Sequence, residues 1–356
     1  MANPLRIAHA DFSPVWRGGQ QQLLLLAQGL RALGCEQWIV APPGVVMQRL
    51  QAAGFAVAPP GLRSFGWARA ADVVHAHDGH AHGWMLQATW RHRTLRVLSR
   101  RVAFPIRGWG SRWKYRRLDL ALAVSACVRR QVEATGLAPG RIRVIPDAVD
   151  LAALPAPANA RQRIRLRLGL DQSTPCLVCL GAFTPEKGIA DLIAALPRLP
   201  PACRLLLPGE GPLRATLQRQ VQALQLGARV HFVGVAEFSA AEWVAAADLF
   251  AMPSLQEGLG SAALLAMALR RPIVASSAGG IPELVADGAT GLLVPAGDAI
   301  ALAAACQRLL DHPALALRLV DQAESRVRQH HGAEPVAAAT LAAYRAVPPP
   351  RRRRQE

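Results

Sequence analysis

The sequence predicts an α/β protein made of two Rossmann-like domains facing across a cleft. Short β-branched or apolar runs alternate with longer amphipathic ones, and after a Pro/Ala-rich interruption near residue 155 the alternation begins again. Such alternation implies βα units that feed a parallel sheet. Size agrees, since 356 residues, 51% of them hydrophobic, exceed one ordinary core and fit two domains.

The elements follow in order. In the first half "LRIAHA", "EQWIVAPP", "FAVAPP" and "ADVVHAH" are strand-like, while "QQQLLLLAQGLRALG" and "VVMQRLQAAG" carry helical spacing. "LAALPAPANARQR" is the connector. In the second half the short runs "PCLVCLGAF", "CRLLLPG", "VHFVG", "LFAMPS", "RPIVASS" and "GLLVP" are separated by "IADLIAALPRL", "PLRATLQRQVQALQL", "AAEWVAAA" and a helix from about residue 261. The domains expected are 1–155 and 156–331, followed by a helix over 332–347 that returns to the first domain and a disordered basic tail over 348–356. Ligands of such sheets sit at the carboxyl ends of the strands, so the cleft is the expected site.

Composition narrows the function. "MANPLRIAHADFSP" lacks a basic region followed by an apolar run, and no run approaches the ~18 residues of a membrane span, so a cytoplasmic protein is expected. Six irregularly spaced cysteines do not outline a disulfide framework. Cys176 and Cys179 form C-x-x-C inside a strand-like run with no second pair at zinc spacing, which argues against a redox or metal role. The formal charge of +17 is uneven, with 20 Lys and Arg against 8 Asp and Glu in the first 150 residues. Residues 91–117 hold ten basic residues and no acidic one, with Trp109, Trp113 and Tyr115 interleaved. The partners this composition admits are an anionic membrane surface, a phosphorylated acceptor or nucleic acid, and the bland alternative is a solvated basic face.

Three glycine-bearing loops lie where strands end. "WRGGQQQ" sets Gly18 and Gly19 before a helix, where backbone can approach an anion. "GAFTPEKG" sets Lys187 and Gly188 at the next helix, suiting a lysine that reaches a phosphate. "EGLGSAALLAMA" places Glu257 in a loop and Gly258, Gly260 and Ser261 at a helix start that favours a diphosphate. In "VVHAHDGHAH", His75 and His77 face the same side of a strand, with Asp78, His80 and His82 expected in the following loop. A metal site, a ligand contact and plain packing all remain open for these histidines.

Taken together, "RGGQQQLLLLAQGLRALG", "DVVHAH", "LALAVSACVRRQV", "RIRVIPDAVDL", "LGAFTPEKGIADLIAAL", "LLLPGEGPLRATL", "RVHFVGV", "AADLFAMPSLQEGLGSAALLAMA", "RPIVASSAGGIPELVADGATGLLVPAGD" and a tyrosine at 344 resemble, in this order, a GT-B fold retaining glycosyltransferase of family 4. "WRGGQQQ" and "SRRVAFP…KY" are further similar to transferases of bacterial envelope polysaccharide or lipopolysaccharide assembly. The resemblance implies an acceptor-side first domain and a nucleotide-sugar-binding second domain. It implies that Glu257 contacts the donor sugar, Lys187 the diphosphate and the amides of Gly258, Leu259, Gly260 and Ser261 the phosphates. Gly18, Gly19, Gly181, Gly209, Glu210 and Leu265 complete the donor side, His77 lies near the donor sugar, and Arg100, Arg101 and Lys114 lie on the acceptor side. Catalysis falls to Glu257, Lys187 and His77. The donor is a substrate rather than a cofactor, and no essential metal is expected. The implied partners are a nucleotide-sugar donor, a glycan or glycolipid acceptor and an anionic membrane surface, not nucleic acid.

Three positions depart from the family pattern: Leu265 stands where a second glutamate would meet the ribose, Ala182 where an arginine often precedes the loop lysine, and Ala148 where a glycine is usual. They keep open a catalytically weakened sugar-nucleotide-binding scaffold. A basic nucleic-acid-binding protein is the weaker alternative, since aromatic content is 5% and no nucleic-acid motif is present.

Overall fold

The structure, a computed structural model, describes residues 4–151, 154, 159–234 and 238–348. It divides into two compact units, one formed by the chain up to Ala148 together with the segment from Ala333, the other by Val149–Gly332.

The first unit runs β1 (Arg6–Ala10), α1 (Gly18–Ala32), β2 (Glu36–Val40), α2 (Val45–Ala52), β3 (Ala56–Ala58), α3 (Leu62–Ala70), β4 (Val73–Ala76), α4 (Gly79–Ala88), β5 (Leu95–Arg100), α5 (Trp109–Tyr115), β6 (Leu120–Ala123), α6 (Ala126–Glu133) and β7 (Ile142–Val144). Its seven strands are parallel in the order β3-β2-β1-β4-β5-β6-β7. The order reverses between β1 and β4, which makes that edge the topological switch point. β4 and β6 are buried at every residue, as strands covered on both faces must be.

The second unit runs α7 (Ala160–Arg167), β8 (Cys176–Val178), α8 (Ile189–Ala195), β9 (Arg204–Pro208), α9 (Arg214–Ala223), β10 (Val230–Val233), α10 (Ala240–Ala246), β11 (Leu249–Met252), α11 (Ser261–Ala268), β12 (Ile273–Ser276), α12 (Ile281–Leu284), β13 (Leu292–Val294), α13 (Ala299–Asp311) and α14 (Pro313–His330). Its parallel sheet has the order β10-β9-β8-β11-β12-β13, with the switch between β8 and β11. Leu177, Leu205, Leu207, Leu249 and Val274 from the strands pack with Leu192, Ile193, Leu217, Leu302 and Leu319 from the helices into one core. Burying such side chains at roughly 1.5–3 kcal/mol each is what holds a sheet of three- to five-residue strands together.

The last helix, α15 (Ala333–Arg345), belongs to the first unit. Its Ala337, Leu341 and Tyr344 join Ile7, Leu26, Leu30 and Val97 in that unit's core. Gly29 of α1 meets α15 so closely that a side chain there would collide with Ala337.

Two expectations need correction. "ANARQR" was expected as connector, yet residues 160–163 begin α7, the first helix of the second unit. The reason is a paired arginine: Arg165 is fully buried, its guanidinium donating to Asp248 and to the carbonyls of Ala246, Asp171, Gln172 and Thr174. His80 and His82 do not lie in a loop but in α4, with Asp78 just before it. Asp78 caps α4, accepting from the backbone N–H groups of His80 and Ala81 at 2.7 and 2.9 Å, and His82 is buried within that helix against the Tyr115 ring. The expected disordered tail falls at 349–356 outside the described residues, as do positions 152, 153 and 155–158 of the connector.

Candidate functional site

In the second unit, the loops at the carboxyl ends of β8 and β11 bring Lys187 and Glu257 together across 70 residues of chain. Lys187 Nζ donates to Glu257 Oε2 at 2.6 Å, and Ser254 Oγ lies 3.4 Å from the same oxygen. Both side chains are largely but not wholly covered, at 27% and 15% exposure. A charged pair held so short, yet reachable by solvent, can exchange its partner for a ligand.

Backbone closeness positions this pair. A single 3-10 turn over Pro185–Lys187 ends at Gly188, whose φ of +61° suits glycine and whose missing side chain leaves room for the Pro253 carbonyl. The Glu186 carbonyl then accepts from the N–H groups of Leu255 and Gln256 at 2.8 and 3.2 Å, tying the lysine loop to the glutamate loop. Gly279, at φ +57°, backs onto the Glu257 carbonyl, which also accepts from Gly280 N at 3.0 Å. The stem of Lys187 runs over Gly181, and Gly209 lies against the Gly181 carbonyl. Glu210 is 60% exposed and paired to Arg214 at 2.9 Å, while its carbonyl accepts from Phe183 N.

Beside the pair, α11 starts at Ser261 behind Gly260, with no side-chain cap. Leu259 is buried under the turn. On the helix Ala263, Leu264, Ala266 and Met267 face the core, whereas Ser261, Leu265 and Ala268 lie on the less covered stripe four and three residues apart. Leu265 is thus less covered than Leu264 and Met267.

In the first unit the switch point is built differently. His9 of β1 stands opposite His75 of β4 in register, and His77 follows the end of β4; all three are buried. His9 Nδ1 lies 3.1 Å from His77 Nε2, and His9 Nε2 lies 3.0 Å from Gln37 Oε1. His75 meets Ser99 Oγ at 2.8 Å through Nε2 and the Tyr344 hydroxyl at 2.7 Å through Nδ1. Burial pushes all three imidazoles down, His9 to about 4, with the Arg101 charge adding to the effect.

These three rings could in geometry hold a cation, since one nitrogen from each falls within 4.8 Å. The donor set fits one poorly. Both nitrogens of His9 and of His75 already face a hydrogen-bond partner, and the guanidinium of Arg101 stands 3.4 Å from His77 Nδ1. A divalent ion would have to break these contacts and sit against a fixed positive charge.

Around this cluster, Arg101 donates to Asp147 at 3.1 Å and Arg100 to the Tyr115 hydroxyl at 2.9 Å, while Lys114 Nζ reaches the Gly79 carbonyl at 3.4 Å. Gly18 and Gly19 open α1, and Gly19 has open space where a side chain would be. The buried Asp11 at the end of β1 accepts from Gln20 of that first turn. Sequence reasoning missed His9, Gln37, Asp11 and Ser254. A lone histidine in "LRIAHA" carries no signal until strand register sets it beside His75.

Two doubly wound parallel sheets, each with a polar cluster at its own switch point, define a two-domain, doubly wound α/β protein. The model described as Glycosyltransferase Family 4 matches residues 16–153, and that described as Glycosyl transferases group 1 matches residues 174–312. The chain is 34% identical over 251 residues to the alpha-maltose-1-phosphate synthase of Mycolicibacterium smegmatis, covering 64% of this chain and 65% of that protein. It is 30% identical over 329 residues to that organism's GDP-mannose-dependent alpha-(1-6)-phosphatidylinositol monomannoside mannosyltransferase, covering 85% of this chain and 81% of that one. Its fold is shared with Anabaena HepE, solved in complex with UDP and glucose, at a TM-score of 0.85 and 21% identity over 95% of this chain and 100% of HepE. The chain belongs to glycosyltransferase family 4 and has the GT-B fold.

Proposed function

We propose that this protein moves a sugar, with retention, from a nucleotide-sugar donor to a saccharide or lipid-linked acceptor in envelope polysaccharide or lipopolysaccharide assembly. The observation that carries the reading is the Lys187–Glu257 pair at 2.6 Å beside the start of α11. Departure of the leaving group generates a nucleoside diphosphate. Lys187 and the N-terminus of α11 supply positive potential where that charge develops, and Glu257 addresses the sugar. The Glu257 carboxylate is held by Lys187 and Ser254, which leaves it facing the sugar as a hydrogen-bond acceptor. The acceptor attacks on the face the leaving group vacates. No metal is needed when lysine and helix end neutralise the diphosphate, and the histidine cluster is read as a hydrogen-bonded one.

The lipid-linked acceptor rests on the first unit's surface. Trp109 is 78% exposed, with Val102, Phe104 and Trp113 exposed near it, among Arg107, Arg112 and Arg116. Amphipathic rings within a basic patch suit an anionic membrane surface. Not all of the segment faces outward: β5 runs through it, and Tyr115 is buried. Among the described residues no helix is long and apolar enough to cross a membrane, so contact would be peripheral.

One observation favours a second reading, a sugar-nucleotide-binding scaffold. Leu265 sits on the less covered stripe of α11 and cannot accept from a ribose hydroxyl. Incubation with a panel of UDP- and GDP-sugars separates the two, because release of free nucleotide supports the transferase and binding without release supports the scaffold.

A further inference from the structure

The histidine cluster carries more than a place near a substrate. Gln37 Nε2 donates to the Ala27 carbonyl of α1 at 2.9 Å, which turns the amide oxygen of Gln37 toward His9 Nε2 at 3.0 Å. An amide oxygen only accepts, so His9 carries its proton on Nε2. A neutral ring with one protonated nitrogen must accept at the other, so His9 Nδ1 accepts from His77 Nε2–H at 3.1 Å. His77 Nδ1 is then bare. The group facing it, the Arg101 guanidinium at 3.4 Å, can only donate, and its Nε is held by Asp147. Every link in the row Arg101, His77, His9, Gln37 thus points the same way.

A second proton on either ring would break the row. On His9 it would set Nδ1–H against His77 Nε2–H, and on His77 it would set Nδ1–H against the guanidinium. Burial and the nearby Arg101 charge oppose that proton in any case. His75 packs against His77 with ring centres 4.1 Å apart and planes tilted by 36°, but directs both its nitrogens elsewhere, to Ser99 and Tyr344. His75 therefore fixes the ring plane, not the proton.

We infer that Gln37 and His9 are positioning residues that hold His77 in the single neutral tautomer with a bare Nδ1, an acceptor for a hydroxyl of the bound substrate. The inference rests on the transferase reading for the word substrate, and on the geometry alone for the tautomer. The long, weak contact from Arg101 leaves that lone pair as the one acceptor in the row a ligand hydroxyl can claim. Neither Gln37 nor His9 needs to touch the ligand.

The test uses the full chain labelled with ¹⁵N-histidine, whose ring-nitrogen shifts separate a protonated nitrogen from a bare one. In the parent protein at neutral pH, His9 and His77 should each show a protonated Nε2 and a bare Nδ1. Gln37→Leu removes the acceptor and should release His77 into a tautomer mixture. Gln37→Glu places an anion on His9, favours its second proton and should drive His77 to the opposite tautomer. With a donor that turns over, Gln37→Leu should lower kcat about tenfold with a smaller change in KM, the cost of one misdirected hydrogen bond. A parent His77 that is charged, or protonated on Nδ1, overturns the inference, and this result does not depend on any variant folding. So does a Gln37→Leu protein whose His77 keeps the parent tautomer. Should the tautomers be as stated while no nucleotide sugar is turned over, the transferase reading fails and the positioning of His77 stands.

Discussion

The two switch points solve the problem of placing polar groups at a sheet edge in opposite ways. In the second unit the groups are charged, partly exposed and carried on loops pinned by backbone contacts around Gly188 and Gly279. In the first unit they are neutral rings, buried between strands and fixed by hydrogen bonds. A charge can be left near solvent at little cost, whereas an imidazole taken out of water must shed its proton or find a partner for it. The first design suits stabilisation of charge that develops on a ligand. The second suits orientation of a ligand without adding charge.

The sharpest way to break this contrast is at Lys187. Lys187→Ala should lower turnover of a nucleotide-sugar donor roughly ten- to a thousandfold, since it removes a charge-assisted contact to a developing negative charge. Steady-state kinetics check it, and unchanged turnover would move the diphosphate elsewhere. Glu257→Gln should also cripple transfer, yet its melting temperature should stay near that of the parent because a partly exposed pair contributes at most ~1 kcal/mol. A variant that unfolds would make Glu257 a packing residue instead.

The buried histidines of the first unit, those of the cluster and His82 of α4, predict a pH dependence of stability. His9 and His82 fall from the ordinary value of 6.5 to about 4 in the folded protein, and His75 and His77 are lowered as well. Above pH 6.5 these groups are neutral folded and unfolded, and they make no difference. Below it the unfolded chain binds protons that the folded one refuses, so stability should fall as pH drops from 6.5 toward 4, by about 1.4 kcal/mol per pH unit for each such histidine. Urea unfolding across that window measures the slope. His82→Phe should make it shallower, and an unchanged slope would show that the ring at 82 is not held neutral by burial.

Smaller effects sharpen the contrast. Gly279→Ala, at a φ of +57° and against the Glu257 carbonyl, should cost about 1 kcal/mol or more of stability. Leu265→Glu, on the less covered stripe of α11, should tighten donor binding by a modest factor and raise the preference for ribose over deoxyribose donors. Isothermal titration with both donor types decides this, and a parent that already prefers ribose strongly would pass the role to another residue, with Glu283 the first candidate.

The second unit's site was more legible in the sequence than the first's. Lys187 and Glu257 stand in glycine-bearing loops after strand-like runs, so loop position and charge mark them before any contact is known. Their mutual 2.6 Å pairing was not legible, because nothing local relates residues 70 apart. His77 was visible at the end of a strand-like run, although it falls just past β4, but His9 and Gln37 were not visible. Their meaning comes from the register of β1 against β2 and β4, which depends on long-range pairing. α4 was missed because "DGHAHG" is rich in loop formers, although Asp78 was available as a cap. The basic run 91–117 hid a central strand whose Arg96 sits beside Asp119, with Arg96 N donating to its carboxylate at 2.9 Å. A count of charges cannot show which of them are paired inside the fold, as Arg101 of the same run is to Asp147 at 3.1 Å.

On the reading above, the Lys187–Glu257 pair at the second switch point handles a nucleotide-sugar diphosphate. Release of nucleoside diphosphate from a panel of UDP- and GDP-sugars, with the parent protein and Lys187→Ala side by side, tests it most directly. The account predicts release from at least one donor by the parent and a loss of ten- to a thousandfold in the variant, the size of a charge-assisted contact to developing charge. Equal rates for the two proteins, or no binding and no release with any donor, would contradict it.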